Sequence, residues 1–249
     1  MIFRQLFESV SSTYTYLIGD ELTGRAILID PVISTMPRDL AELERLGLTL
    51  TYTLDTHIHA DHITAALELK RAVGSKIAAP AFDRLPCTDV GVEEGRTFEL
   101  DGIRLQPIHT PGHTDGHFAY LFEGRVFTGD ALLIEGCGRT DFQNGDTDAL
   151  YRSVTEKLFT LPDETLVYPA HDYQNRFVSS IAQEKARNPR LGKGKTMDEF
   201  REIMAKLELP YPKFIDHAVP GNHACGVCPS HLPHDLEQYC KHMSASPQG

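Results

Sequence analysis

Residues 55–62 read Asp-Thr-His-Ile-His-Ala-Asp-His, and this segment constrains the chain more than any other. It places His57, His59, Asp61 and His62 just after a strand-like run, residues 50–54. Imidazole and carboxylate groups are costly to desolvate unless they are paired or bound to a cation. Both are also groups that first-row transition metals take as ligands. The segment therefore predicts a metal site at the end of a strand.

The spacing of these residues indicates how they reach one site. In an extended backbone, side chains two positions apart lie on the same side, so His57, His59 and Asp61 are expected to point together. His62 follows where the chain is predicted to enter a helix over residues 64–73. One short loop is therefore predicted to offer up to four donor atoms to a metal.

Length and charge narrow the class of protein. A chain of 249 residues fits one large domain or a domain with a modest extension. The formal net charge of −11, without a long basic run, argues against a nucleic-acid or anionic-membrane partner. No stretch approaches the roughly 18 apolar residues of a membrane span, and strand-like patterning at Ile2 leaves no room for a signal peptide. We therefore expect a soluble cytoplasmic protein whose partners are small molecules or proteins.

The hydrophobic pattern alternates short strands with helices. Strands are predicted over residues 2–6, 14–18, 26–29, 50–54, 77–79, 97–100, 103–108, 119–122, 125–128 and 165–168. Helices are predicted over residues 38–46, 64–73, 147–158, 177–187 and 196–207. Gly47 and Gly74 are placed as left-handed helix caps. From residue 210 onward the chain shows little periodicity, and residues 244–249 are expected to be disordered.

Further candidate ligands follow later strands. His113, Asp130 and His171 each come just past a predicted strand, as His57 does, and α/β sheets hold their sites at strand ends. A single loop histidine is more often a hydrogen-bonding group than a ligand. That interpretation applies to His109, His117, His217, His231, His234 and His242.

The metal-type residues occur in an order that resembles the metallo-β-lactamase superfamily. They are His57, His59, Asp61, His62, His113, Asp130 and His171. The resemblance implies an α+β fold, an αββα sandwich of two mixed β-sheets flanked by helices, with the metal site at one edge. It also implies that residues 1–175 form the metal-binding core, and that residues 176–249 supply C-terminal helices and a tail that complete the same domain.

Superfamily membership leaves two ligand plans open. In a dinuclear zinc thioesterase such as glyoxalase II, a hydroxyacylglutathione hydrolase, two Zn²⁺ ions and a hydroxide act on a carbonyl. One zinc would be held by His57, His59 and His113, the other by Asp61, His62 and His171, with Asp130 as the bridge.

The other plan is a mononuclear non-haem iron site. In persulfide dioxygenases, also called sulfur dioxygenases or ethylmalonic-encephalopathy-protein-like enzymes, two histidines and one carboxylate hold one Fe²⁺ per chain. Those ligands would be His57, His113 and Asp130. The remaining metal-type residues would then support the site without binding iron: His59, Asp61, His62 and His171.

Flanking segments favour the dioxygenase. Residues 136–146, Gly-Cys-Gly-Arg-Thr-Asp-Phe-Gln-Asn-Gly-Asp, closely resemble that family's GxGRTDFQ-x-GD signature. Residues 169–173 and 218–226 resemble two other segments of the family, although Gly221 and His223 depart from its C-terminal pattern. The resemblance implies oxidation of glutathione persulfide by O₂ and water to sulfite and glutathione, by an enzyme that is expected to be a homodimer.

The same resemblance implies two substrate-binding residues. Arg139 is the first choice for a glutathione carboxylate, because guanidinium binds carboxylate in bidentate fashion, and Tyr173 is the second. The alternative for Arg139 is a salt bridge that holds residues 136–146, for instance to Asp172.

The cysteines leave one motif unassigned. Their number is odd and their spacing irregular, so we expect no disulfide scaffold and a reducing compartment; they are Cys87, Cys137, Cys225, Cys228 and Cys240. Cys225-Gly-Val-Cys228 has three interpretations: a metal site with His223 or His231, a redox pair, or a family cysteine with an unrelated neighbour. The third is favoured, because one such pair supplies too few ligands for a structural zinc. A non-enzymatic iron or redox sensor that uses this pair is a further alternative.

Overall fold

Two six-stranded sheets carry the fold of residues 1–242, which the computed structural model describes. The first sheet contains, in spatial order, β1 (Ile2–Glu8), β2 (Thr13–Asp20), β3 (Arg25–Ile29), β4 (Thr49–Leu54), β5 (Lys76–Pro80) and β6 (Val90–Val92). The second contains β12 (Ser179–Ser180), β11 (Leu166–Pro169), β10 (Arg125–Gly129), β9 (Phe118–Phe122), β8 (Ile103–His109) and β7 (Phe98–Leu100), again in spatial order. Both sheets are mixed, as expected: β3 and β10 each have a parallel neighbour on one side and an antiparallel one on the other.

Six α-helices accompany the sheets in the described part of the chain. They are α1 (Met36–Arg45), α2 (Ala66–Val73), α3 (Thr147–Arg152), α4 (Ile181–Arg187), α5 (Met197–Ala205) and α6 (Ile215–His223). Gly47 and Gly74 have positive φ angles of 66° and 74° just past α1 and α2, which confirms both predicted caps. No helix within residues 1–242 has the length and apolar character needed to cross a membrane.

The chain divides into two compact units. Within the described residues, the first comprises residues 1–91, 99–103 and 212–242; the second comprises residues 92–98 and 104–211. Buried side chains of the first unit form a core from β2, β3, α1, α2 and α6 that includes Leu17, Leu28, Leu43, Leu69 and Ala218. The second unit has its own core, which includes Val126, Leu150, Val154, Val167 and Phe200. The assignment of residues 1–175 to a metal-binding core and 176–249 to its completion stays a prediction.

Two helices differ from the sequence-based prediction because tertiary contacts determine their backbone conformation. The helix predicted over residues 177–187 begins only at Ile181, because Ser179 and Ser180 pair with β11 and the Ser180 hydroxyl then accepts from Gln183 N at 3.2 Å. α6 was not predicted, since its residues lack a strong amphipathic pattern and Pro220 lies within it. The expected disorder of residues 244–249 lies outside the described residues.

The expectation of no disulfide scaffold is wrong, whereas the reducing compartment stays a prediction. Cys87 pairs with Cys225, with Cα atoms 6.2 Å apart, and Cys228 pairs with Cys240 at 6.0 Å. Cys225 and Cys228 therefore do not act as one redox or metal-binding pair in this structure, because each is bonded to a different, distant cysteine. Cys137 is a buried thiol whose pKa burial raises to about 11.

α1 carries a buried carboxyl group. Asp39 is fully buried; its Oδ1 accepts from Arg38 Nε at 2.9 Å and Nη2 at 2.7 Å. Its Oδ2 has no hydrogen-bond partner among residues 1–242. Burial raises the pKa of Asp39 to about 6, and Arg38 opposes only part of that shift.

Replacing Asp39 with Asn should change how stability depends on pH. Between the ordinary pKa of 3.8 and about 6, the folded chain holds a proton at Asp39 that the unfolded chain has lost, so wild-type stability falls as pH rises through this window. The free energy of unfolding of D39N minus that of wild type should increase by ~2 kcal/mol between pH 4 and pH 7. Urea unfolding across that range measures the difference, and a constant offset between the two proteins would contradict the prediction.

Candidate metal centre

The predicted histidine cluster lies in the first unit on an irregular loop. Residues 55–63 leave β4 without forming a strand, so the expected strand alternation of His57, His59 and Asp61 is wrong. The loop nevertheless brings the imidazoles together, with ring centroids 4.1 Å apart for His57 and His59 and 4.3 Å apart for His59 and His62. All three histidines are buried.

A hydrogen-bond chain sets the proton on His57. Asp30 Oδ1 accepts from Thr56 N at 2.7 Å, and its Oδ2 accepts from Thr56 Oγ1 at 3.0 Å. Since that hydroxyl has given its hydrogen to Asp30, it accepts from His57 Nδ1 at 2.9 Å. An imidazole protonated at Nδ1 carries its lone pair on Nε2, the atom then available for a metal.

Two other imidazoles are anchored by carboxylates. His59 Nε2 lies 3.2 Å from Asp30 Oδ1, and His62 Nδ1 lies 3.0 Å from Asp61 Oδ2, which also accepts from Thr13 Oγ1 at 3.0 Å. The opposite ring nitrogens, His59 Nδ1 and His62 Nε2, are buried and have no hydrogen-bond partner within the described chain. Buried lone pairs of this kind are costly unless a cation or donor meets them.

Asp55, the first residue of the loop, has a raised pKa. Its side chain is buried, and both its oxygens lie 3.0 Å from the hydroxyl of Thr64. Burial raises the pKa of Asp55 to about 7, against the opposing effect of His59.

Asn222 of α6 fixes the backbone of the same loop. Its side-chain amide donates to His59 O at 2.9 Å and to His62 O at 2.8 Å, and its carbonyl oxygen accepts from Thr64 N at 2.9 Å. The sequence marked Asn222 only as a member of a family-like segment, and gave no signal that it contacts a loop 158 positions away.

The second unit supplies the remaining predicted ligands. His113 Nε2 lies 3.4 Å from Asp130 Oδ2, and His171 Nε2 lies 3.6 Å from Asp130 Oδ1. Asp130 Oδ1 is buried and lacks a hydrogen-bond partner in residues 1–242. The structure therefore brings these three side chains around one space, at distances longer than good hydrogen bonds.

Neighbouring groups hold the second-unit ligands in place. His113 Nδ1 donates to the Arg139 carbonyl at 2.7 Å, which assigns the lone pair to Nε2. His117 Nε2 accepts from Asp130 N at 3.0 Å, and its Nδ1 lies 2.8 Å from the Thr110 hydroxyl. The prediction that His117 is a hydrogen-bonding group is confirmed.

The donor set fits a first-row divalent metal. In the first unit, His59, Asp61 and His62 each place one ligand atom within 4.8 Å of the others. Neutral imidazole nitrogens and carboxylate oxygens, each supported from behind by another hydrogen bond, are the ligands that iron and zinc take. The orphaned buried atoms of His59, His62 and Asp130 are the structural sign of such a group.

The two predicted substrate-binding residues differ in their surroundings. Arg139 binds both oxygens of Asp141, at 2.6 and 2.7 Å, and donates to Pro210 O at 2.8 Å. The salt bridge within residues 136–146 is thus real, but its partner is Asp141 and not Asp172. Tyr173 is 70% exposed and stacks on His171 with ring centroids 5.7 Å apart.

Comparison with known proteins identifies the superfamily. The family model of the metallo-β-lactamase superfamily matches residues 9–171, which include every predicted ligand. The chain belongs to this superfamily and has its fold, two mixed sheets flanked by helices.

Among the most similar proteins are two named ETHE1. The human protein named persulfide dioxygenase ETHE1, mitochondrial, is 46% identical over 231 residues, which cover 91% of this chain and 89% of that protein. The crystal structure of ETHE1 from Myxococcus xanthus has a TM-score of 0.88 and 55% identity, covering 91% of this chain and 100% of that one. A hydroxyacylglutathione hydrolase of Methylococcus capsulatus is 36% identical, covering 66% of this chain and 64% of that protein. Within the superfamily, the chain is a member of the persulfide dioxygenase family.

Replacing Gly138 with Ala should weaken metal binding. A Cβ there would lie 2.6 Å from Asp130 O and 2.7 Å from His113 Nδ1, so one of these ligands must shift. Displaced ligand support typically costs 10- to 100-fold in metal affinity, and we expect a loss of about that size.

Gly136→Ala is the matched control. It lies in the same loop, and the nearest atom to its Cβ would be 3.7 Å away, so affinity should be unchanged. Competition for metal against a chelator measures both variants; equal affinities for G138A and G136A would refute the assignment.

Proposed function

We propose that this chain oxidises glutathione persulfide with O₂ and water to sulfite and glutathione, at one Fe²⁺ held by His57, His113 and Asp130. The observation that carries the proposal is the 46% identity to a persulfide dioxygenase along 91% of the chain. Identity to hydroxyacylglutathione hydrolases is lower, 36% over 66% of the chain for one and 35% over 83% for another.

The residues of this chain prepare two neutral imidazoles for the metal. Asp30 and Thr56 keep the His57 proton on Nδ1, and the Arg139 carbonyl does the same for His113. Both rings therefore offer Nε2, and Asp130 adds the negative charge that makes two histidines and one carboxylate. When bound, Fe²⁺ in such a set supplies open coordination positions at which a persulfide sulfur and O₂ can react.

The remaining metal-type residues support the site. His59 and His62 are each held by a carboxylate, and His171 lies beside Asp130. In the proposed function they limit solvent access and present polar atoms to the substrate. In a zinc hydrolase, His59 would bind the first metal, whereas His62 and His171 would bind a second metal together with Asp61, so the metal count is part of the test.

Arg139 and Tyr173 are proposed to bind the glutathione part of the substrate. Asp141 already occupies the guanidinium fork of Arg139, which also lies 4.6 Å from the ring centre of Phe142. A glutathione carboxylate would therefore have to share or replace the Asp141 contact. The cytoplasmic location and the homodimer also stay predictions.

Asp130→Ala should abolish iron retention and oxygen uptake. It removes the carboxylate of the proposed set, and a two-histidine remainder holds Fe²⁺ poorly. Metal analysis of protein loaded anaerobically with Fe²⁺, together with an oxygen electrode and glutathione persulfide, measures both losses.

Asp115→Ala is the control for this variant. Asp115 lies in the loop after His113, where its Oδ2 accepts from Asn144, and its removal should leave both quantities near wild type. Full iron content and turnover in D130A would refute the iron ligand set. Two zinc ions per wild-type chain, with thioester hydrolysis and no oxygen uptake, would favour the hydrolase.

Arg139→Ala should raise KM for glutathione persulfide by about 10-fold or more, since hydrogen bonds to charged groups contribute about 1.5–3 kcal/mol. Iron content should change little. Asp141→Asn serves as the comparison, because it loosens the salt bridge while keeping the guanidinium, and should leave KM unchanged or lower it. Equal KM values for wild type and R139A would leave Arg139 with a structural role only.

A further inference from the structure

The Cys87–Cys225 disulfide fastens the C-terminal segment beside the histidine loop. Cys225 follows α6 and is 2% exposed, whereas Cys87 is partly exposed in the segment after β5. The two cysteines are 138 positions apart in sequence. Together with Asn222 they line a small cavity in the first unit whose other walls include His57 and His59.

The backbone next to Cys225 is in direct contact with the loop. Gly226 has a φ of 96°, and a Cβ at this position would overlap the carbonyl oxygen of Thr64. Gly221 likewise packs against Ile63, whose Cδ1 would lie 2.7 Å from an added Cβ. The segment that carries the disulfide is therefore packed directly against residues 63–64.

Asn222 links this segment to the histidine loop, residues 55–63, which carries the proposed ligand His57. Its three hydrogen bonds end on the backbone of His59, His62 and Thr64, and the side chain is 3% exposed. Both amide N–H donors and the carbonyl oxygen are used, so a displacement of α6 would leave buried backbone groups unpaired. Asn222 is thus a positioning residue whose own place depends on Cys225 three residues later.

We propose that the Cys87–Cys225 disulfide holds Asn222 on the histidine loop, so that reduction by a low-molecular-weight thiol loosens the metal. This inference rests on the proposed metal site, and not on persulfide oxidation. Glutathione, the thiol product of the proposed reaction, belongs to the class of reductant that would act.

Reduction proceeds by two thiol–disulfide exchanges. A thiolate attacks Sγ of Cys87, the more exposed sulfur; a mixed disulfide forms, the Cys87–Cys225 bond breaks, and Cys225 leaves as a thiolate that takes up a proton. A second thiolate attacks the outer sulfur of the mixed disulfide, releasing Cys87 as a thiol after protonation. Two thiols are oxidised to one disulfide, and the protein disulfide is reduced to two thiols.

Metal release tests the proposal without using enzyme activity. Protein loaded anaerobically with Fe²⁺ is challenged with EDTA, with and without dithiothreitol, and release is followed over time. Loss of groups that support a ligand typically lowers metal affinity 10- to 100-fold, so reduction should speed release on the order of 10-fold. The double variant Cys87→Ser/Cys225→Ser should release metal at the fast rate without dithiothreitol and show no further response.

Cys228→Ser is the matched control. It breaks the other disulfide of the same segment, which spans only 12 positions, and should keep the wild-type response to dithiothreitol. The proposal is overturned if, without dithiothreitol, wild type and the Cys87/Cys225 variant release metal equally fast, or if Cys228→Ser alone gives the fast release.

Asn222→Ala tests the route of coupling. This variant lacks the side-chain contacts through which the disulfide is proposed to act. Metal release should therefore already be fast, and dithiothreitol should increase it little. Additive effects of the variant and of reduction would overturn the role of Asn222. Should Asn222→Ala not fold, Asn222→Asp, which keeps the acceptor for Thr64 N and loses both donors, gives the same comparison. Loss of persulfide turnover with normal thiol-dependent release would count against the proposed function alone.

Discussion

The buried carboxylate of Asp30 is the interaction on which the histidine loop depends. It follows β3 with a φ of 50°, a backbone conformation that costs energy for a residue other than glycine. Its oxygens accept from Thr56 N, Thr56 Oγ1 and His59 Nε2, and through Thr56 they set the proton of His57. Without this acceptor, several buried donors would be unpaired. Asp30 is not a ligand in the proposed site. It nevertheless determines which imidazole nitrogens keep a lone pair for a metal.

In the second unit, different groups orient the candidate ligands. A backbone carbonyl, that of Arg139, orients His113, and the imidazole of His117 holds the backbone of Asp130. Gly138 lets the chain pass close to both ligands, where any side chain would collide. Residues 136–146, which resemble persulfide dioxygenases in sequence, are therefore part of the support for His113 as well as the location of Arg139.

Relatives of this chain are named both persulfide dioxygenase and hydroxyacylglutathione hydrolase, so membership of the superfamily does not by itself fix the reaction, and the segments around the candidate ligands matter. Here those segments are the 136–146 loop in the second unit and the α6 region in the first. The α6 region carries Asn222. One disulfide joins the segment after α6 to Cys87, and a second joins Cys228 to Cys240.

The sequence by itself determined the local elements and the candidate ligands. The caps at Gly47 and Gly74 depend on neighbouring residues and could be predicted from them. The candidate ligands could be picked out because histidines and aspartates that follow strands are common metal ligands and their order resembles the metallo-β-lactamase superfamily.

Only the tertiary structure decided how those ligands are held. Asp30, Asn222 and the partners of four cysteines act across separations of 12 to 163 positions, and no local pattern encodes such pairs. For the same reason α6 was missed: its helical state depends on packing of Phe214 and Ala218 in the first-unit core, and not on its own periodicity.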